Sequence, residues 1–309
     1  MTIPNEFFVP SYYSDPDGNR AASAVLEEGC NNSWNHAITA IINPQYPMNT
    51  TNTVNYLMEW VNNCQSVSTK NDSQLFFTYK GIRFVASAIA IQGMNTPEFP
   101  YIASWLNSVY LPCAKSIGTH WNNWGVWGLY GQALMTKING SDPSELISTV
   151  KNHYKRANWQ IPIITKPGLL WLEAVRNNGG LWYHYFALAG YLKLALWINE
   201  LTQDTELLGQ VGENLETYFQ WCQKPNEWPY STKTFIGKIE KILTNSQNSM
   251  EKPYPNNSWP ANLFKVAAEI YNKPLWKIAY SDFGGIGQNY FIFPDVYIGN
   301  NLCYNPYVI

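Results

Sequence analysis

The chain has 309 residues, enough for one large domain or two modest ones with ample buried core. Lys plus Arg number 20 against 22 Asp plus Glu, and charged residues make up only 14%, so the basic stripe of a nucleic-acid binder is missing. No apolar run reaches the roughly 18 residues of a membrane span; the most apolar stretch, Tyr185–Ile198, is shorter and is broken by Lys193.

Taken in chain order, the first 30 or so residues read as an extended N-terminal segment, with no basic stretch leading into an apolar one in MTIPNEFFVP. No signal peptide is visible there, and the compartment stays open between the cytoplasm and export with a leader removed. Leu57, Trp60, Val61 and Cys64 then recur at helical spacing, as do Ile102, Trp105, Leu106, Val109 and Tyr110. Between these two lies a helix predicted over Ile82–Gln92. Further helices are predicted over Trp124–Lys137, Ser144–Asn158 and Tyr183–Leu201, then from Leu208 to Phe219 and over Trp259–Asn272. Short breakers separate them, among them Asn95-Thr-Pro, Asn139-Gly-Ser-Asp-Pro and Lys224-Pro-Asn. Two-residue alternation appears only around Tyr290–Ile298, inside an irregular C-terminal segment from about 280 to 309.

Many helices joined by short turns imply antiparallel neighbours. No composition shift marks a linker, so the chain reads as one all-α domain over 1–309. Helix hairpins stacked in a ring would form an incomplete α/α toroid, with inner helices lining a cleft. Aromatic residues reach 16%, with 14 Trp and 21 Tyr, a surplus that suits a cleft stacking on sugar rings. The five cysteines are scattered, with no spacing that suggests zinc, and read as buried thiols.

Two stretches stand apart. The first is His120-Trp-Asn-Asn-Trp-Gly-Val-Trp127; the second runs from Glu173 through Arg176 and Gly179-Gly180 to Trp182-Tyr-His-Tyr-Phe-Ala-Leu188. Structural explanations compete at every position. Asn122 or Asn123 suits a helix N-cap, the Trp121, Trp124 and Trp127 stripe suits a core, and Arg176 could pair with Glu173 on a helix surface. His153 reads as solvent-exposed, and His184 as a core histidine.

The chemical reading starts from what is missing. Glycoside hydrolysis wants two carboxylates flanking the bond, whereas Asp and Glu are scattered here and only Glu173 lies near the aromatic clusters. Eliminative cleavage of a polyuronate wants amide or cationic donors to neutralise the sugar carboxylate. It also wants a Tyr or His to take the proton beside that carboxylate and protonate the leaving oxygen. Asn, Arg, Tyr and His supply those parts with no metal and no cofactor.

In Asn122-Asn123-Trp124-Gly125-Val126-Trp127 and in Arg176 through Tyr183-His184-Tyr185-Phe186-Ala187-Leu188, the chain resembles the alginate lyase superfamily. Weaker echoes are Leu57-Met-Glu-Trp60, Trp259-Pro-Ala-Asn-Leu-Phe264 and Gly284-Gly285, and order holds from about residue 50 to 290. The resemblance implies an α/α toroid and β-elimination on alginate, polymannuronate or glucuronan. It casts Asn123, Asn122 and Arg176 as neutralisers, Tyr183 as proton carrier, and His184 or His120 as assistants. Trp124, Trp127, Tyr185, Trp182 and Glu173 are then expected to line the sugar site. The implied partner is the polysaccharide, with no nucleic acid and no membrane, and the protein is read as a monomer.

Two departures stand out. The family's histidine in the first motif is Trp124 here, and aligning on His184 puts the family's tyrosine on Phe186. A glycoside hydrolase on the same toroid, or a toroid that binds sugar without turnover, are the alternatives.

Overall fold

Helix begins earlier than the hydrophobic pattern suggests. The computed structural model describes residues 2–42, 45–94, 96–158, 168–174, 180–223 and 259–276, and its first helix, α1, spans Pro16–Ile42. Asp15 caps it: Oδ1 accepts the Gly18 N–H at 2.9 Å, and Pro16 takes the first helical position, where a missing N–H costs nothing. The extended N-terminal segment therefore ends near residue 15 rather than 30. What remains of it is pinned. Strand β1 (Glu6–Phe7) pairs in parallel with β2 (Ser66–Val67), and the Val9 N–H donates to Ser73 Oγ at 2.9 Å.

The chain resolves into two compact units. The first comprises Met1–His120 and Trp127–Leu146. In it lie α1, α2 (Pro47–Asn63), α3 (Ser73–Gln92) and α4 (Phe99–Trp105), then a π-helical turn (Leu106–Tyr110) and α5 (Leu111–Gly118). Most of α6 (Asn123–Asn139) follows. Helix α3 is buried along most of its length and packs against α1, α2, α4 and α5. Around it Phe7, Trp60, Phe77, Phe84, Trp105 and Tyr110 form an aromatic core, with Trp60 and Phe84 ring centroids 5.0 Å apart. Two polar tips in this core are satisfied, Trp105 Nε1 donating to Cys64 O at 2.7 Å and the Tyr110 hydroxyl to Thr78 O at 3.0 Å. The Trp60 indole N–H, in contrast, is buried without a partner among the described residues. Each such ring contributes about 3 kcal/mol by burial, so α3 is held chiefly by aromatic packing. Helices α5 and α6 meet backbone to backbone. A Cβ on Gly128 would lie 2.3 Å from the Gly118 nitrogen, so no side chain fits there.

The second unit comprises, among the described residues, Trp121–Val126 and those from Ile147 to Trp276. It holds α7 (Ser144–Ala157, from Ile147), α8 (Trp171–Ala174), α9 (Gly180–Thr202), α10 (Glu206–Gln223) and α11 (Trp259–Ile270). Helix α7 buries Val150, His153, Tyr154 and Ala157, a single face at helical spacing. Helix α9 is apolar over Tyr185–Ile198 except at Lys193, which is why it runs through the core, packed by α8, α10 and α11. Asn214 of α10 ties the unit together. Its Oδ1 accepts the Tyr154 hydroxyl at 2.6 Å, and its Nδ2 donates to Gly168 O at 2.8 Å.

Cys30, Cys64, Cys113 and Cys222 are buried, as scattered core thiols would be. Among the described residues no helix is long and apolar enough to cross a membrane. The alternation at Tyr290–Ile298, the C-terminal segment and Cys303 lie outside the described residues.

Candidate active site

The sequence-predicted residues of the first motif separate at His120. His120 closes α5 in the first unit, its N–H on Ile117 O at 3.1 Å and its side chain exposed. Trp121–Val126 belong to the second unit. There Asn122 is the cap that starts α6: Oδ1 accepts the Trp124 N–H at 3.1 Å. Asn123 is 1% exposed and turns to Glu173, itself 2% exposed. The Asn123 N–H donates to Glu173 Oε1 at 2.5 Å, and Nδ2 donates to Oε1 and Oε2 at 3.1 and 3.0 Å.

Two residues named independently from the sequence thus form one buried pair. The Glu173 carboxylate lies against the first N–H of α6, where the helix end favours an acceptor, and the amide supplies the donors a buried carboxylate needs. Replacing one acceptor oxygen by an amide sets N–H against N–H. Glu173→Gln is therefore expected to destabilise the fold by about 2–3 kcal/mol, read as a lower urea midpoint at unchanged slope. A midpoint equal to wild type would mean the pair contributes nothing.

Helix α9 carries the second motif. Tyr183 is half-buried, whereas His184 and Tyr185 are 0% exposed and Phe186 is 3% exposed. At about 100° per residue Tyr183 and Tyr185 point to opposite sides of the helix. Of the two, only Tyr183 keeps accessible surface. His184 packs its ring 5.3 Å from that of Tyr218, and burial lowers its pKa from 6.5 to about 3. Arg176 lies outside the described residues, and so does the Trp182 side chain.

The tryptophan stripe divides. Trp124 is half-buried. Trp127 is 1% exposed, its ring 6.3 Å from Tyr79 and edge-on to Tyr130, inside the core of the first unit. A ring buried there has no face to offer a sugar, so Trp127 is corrected from substrate contact to core. Tyr185 is corrected likewise by its burial.

His153 is a second correction. Far from exposed, it is 3% accessible, because the inward face of α7 includes it. Its ring stacks on Trp121 at 5.5 Å and 16°, and its Nδ1 lies 2.7 Å from the Tyr191 hydroxyl. One turn on, Arg156 lies over the Trp121 indole at 3.8 Å, its carbonyl accepting Trp171 Nε1 at 3.0 Å. Sequence reasoning passed over this stack, although the spacing of Val150, His153, Tyr154 and Ala157 marks an inward face. Beside the stack, a depression of about 170 Å³ is lined by Trp121, Asn122, Val126, Leu170, Glu173 and Tyr191, among others. That volume includes open solvent and none of it would enclose even a water molecule, so this is a shallow dimple rather than a sugar cleft. Among the described residues no group of three or more His, Cys, Asp or Glu stands together as a metal site would need.

The architecture defines a class of fold: all-α, an α/α toroid. The chain is similar in structure to alginate lyase A1-III, solved as a histidine-to-alanine variant complexed with a tetrasaccharide. The TM-score is 0.58 at 16% identity, covering 87% of this chain and 76% of that one. No family model matches the sequence, and no curated protein matches it. The likeness is one of fold, and the chemistry has to be argued from side chains.

Proposed function

We propose that the protein is a polysaccharide lyase cleaving a uronic-acid polymer, polymannuronate, alginate or glucuronan, by β-elimination. The observation that carries this reading is the fold likeness to an alginate lyase. The accessible Tyr183 at the start of α9 supports it. Arg176 neutralises the sugar carboxylate, with the Asn122 amide as second donor, since Asn122 uses only Oδ1 to cap α6. Asn123 takes part through its place next to Asn122 in the chain, held by Glu173.

Neutralising the carboxylate acidifies the C5 hydrogen. The C5–H bond then breaks, the C4–C5 double bond forms and the C4–O4 bond cleaves. Tyr183, as the phenolate, takes the C5 proton and, now a phenol, hands that proton to O4 as it leaves. Buried His184 packs against Tyr218 instead of meeting the sugar, while Trp124 and Trp182 remain contacts of the bound chain.

A second reading is favoured by one observation. The Asn123 amide already donates to Glu173, and Trp124 stands where a base would be expected, so the toroid would bind polyuronate without cleaving it. A glycoside hydrolase is less well supported, because both oxygens of Glu173 are taken by Asn123. Incubation with polymannuronate or glucuronan is expected to generate 4,5-unsaturated ends that absorb in the ultraviolet. Reducing ends without that absorbance would mean hydrolysis, and binding without product would mean the second reading.

A further inference from the structure

Arg156 takes no part in the chemistry above, yet its surroundings are built. The sequence has four arginines, Arg20, Arg83, Arg156 and Arg176, so each weighs heavily in the cation balance. Arg20 pairs with Asp17, and Arg83 is 3% exposed in the core of the first unit. Arg156 is exposed, and its guanidinium meets the Trp121 ring at 3.8 Å while making no hydrogen bond or ion pair with any described residue. Stacking uses the face of a guanidinium and leaves the N–H groups at its edge, the fork that fits a carboxylate.

The platform is fixed from below. Tyr191 holds His153, His153 stacks on Trp121, and Trp121 carries Arg156, with 42% of Trp121 still accessible. A side chain held this way loses little freedom on binding, which is what separates a receptor from a loose surface charge. Trp121 is also two residues from Asn123, at most about 7 Å of chain, and directly precedes Asn122.

We infer that Trp121 and Arg156 form a carboxylate-binding subsite, which holds the uronate unit beside the one being cleaved. The inference rests on the polyuronate reading for its substrate. Arg156 takes the sugar carboxylate edge-on through two parallel N–H bonds, and Trp121 is a positioning residue that keeps the fork in place. A neutral polysaccharide gains nothing at this subsite.

The test is calorimetric titration of hexamannuronate into the Tyr183→Phe protein, so that the ligand survives, alone and combined with Arg156→Ala, Arg156→Lys, Trp121→Ala or Trp121→Phe. Arg156→Ala is expected to weaken binding about tenfold or more. Arg156→Lys should fall between, because it keeps charge but loses the fork. Trp121→Phe should retain most of the affinity that Trp121→Ala loses. A carboxyl-reduced hexamer should bind Arg156→Ala and its parent equally. With Tyr183 restored, Arg156→Ala should raise KM at unchanged kcat. An unchanged dissociation constant in Arg156→Ala, while wild type still forms unsaturated product, overturns the subsite and leaves the lyase standing. Weakened binding with no unsaturated product from wild type does the reverse.

Discussion

Tyr183→Phe is expected to lower turnover on a polyuronate by about a hundred- to ten-thousand-fold while leaving binding and fold nearly intact. The substitution removes a hydroxyl and nothing else, and half-buried Tyr183 has the accessible surface that a proton carrier needs. Tyr185→Phe should cost far less in rate, because Tyr185 is 0% exposed and lies across the helix. Initial rates from ultraviolet absorbance separate the two. If Tyr185→Phe silences the enzyme and Tyr183→Phe does not, the motif faces the other way.

The second large effect is on stability. His184 is buried among rings, and its pKa falls from 6.5 to about 3. An unfolded chain takes up a proton on this imidazole as pH falls below 6.5, and the folded protein does not until about pH 3. Stability contributed by the neutral ring is therefore present above pH 6.5 and is lost as pH falls towards 3. Between pH 7 and pH 5 the loss attributable to His184 is about 2 kcal/mol. Urea unfolding at the two pH values should show it, and His184→Phe, which cannot titrate, should lose that part of the slope. An identical slope in both proteins would place the pH sensitivity elsewhere.

Much of the fold is readable from the sequence because helical spacing is a property of burial itself. The stripe from Ile102 to Tyr110 predicts a helical rod, and the structure has one, with a π-helical turn at Leu106–Tyr110 that no spacing rule announces. Helix α1 escapes the periodicity because its sequence, with Asn31, Asn32 and Asn35 among small residues, mixes polar and apolar positions. Its start was nonetheless written in Asp15-Pro16, a cap and a first-turn proline.

The candidate site is readable in residue types but not in partners. Asn123 and Glu173 are each conspicuous, yet 50 residues separate them, and only the folded chain brings the amide onto the carboxylate. His153 misled for a related reason. On its own it resembles any surface histidine, and only together with Val150, Tyr154 and Ala157 does it mark an inward face. Trp127 shows the converse. A tryptophan in a motif suggests a sugar platform, but the physics of a large apolar ring sends it to the core unless something holds it out.

The close approach of Gly118 and Gly128 has a consequence for how ligand is received. The nine residues between them, 119–127, leave and return to a single point. Four of them connect α5 to α6 and five are the opening of α6, so the excursion is clasped at its neck. Closing so short an excursion costs entropy once, during folding, and is not repeated at each encounter with a ligand. Inside it, Asn122 caps the helix and Asn123 is fastened to Glu173, leaving little slack for Trp121 to wander. A sugar chain arriving at Trp121 and Asn122 would meet a surface already set in its receiving shape. Its binding energy would go into holding the substrate rather than into organising the protein.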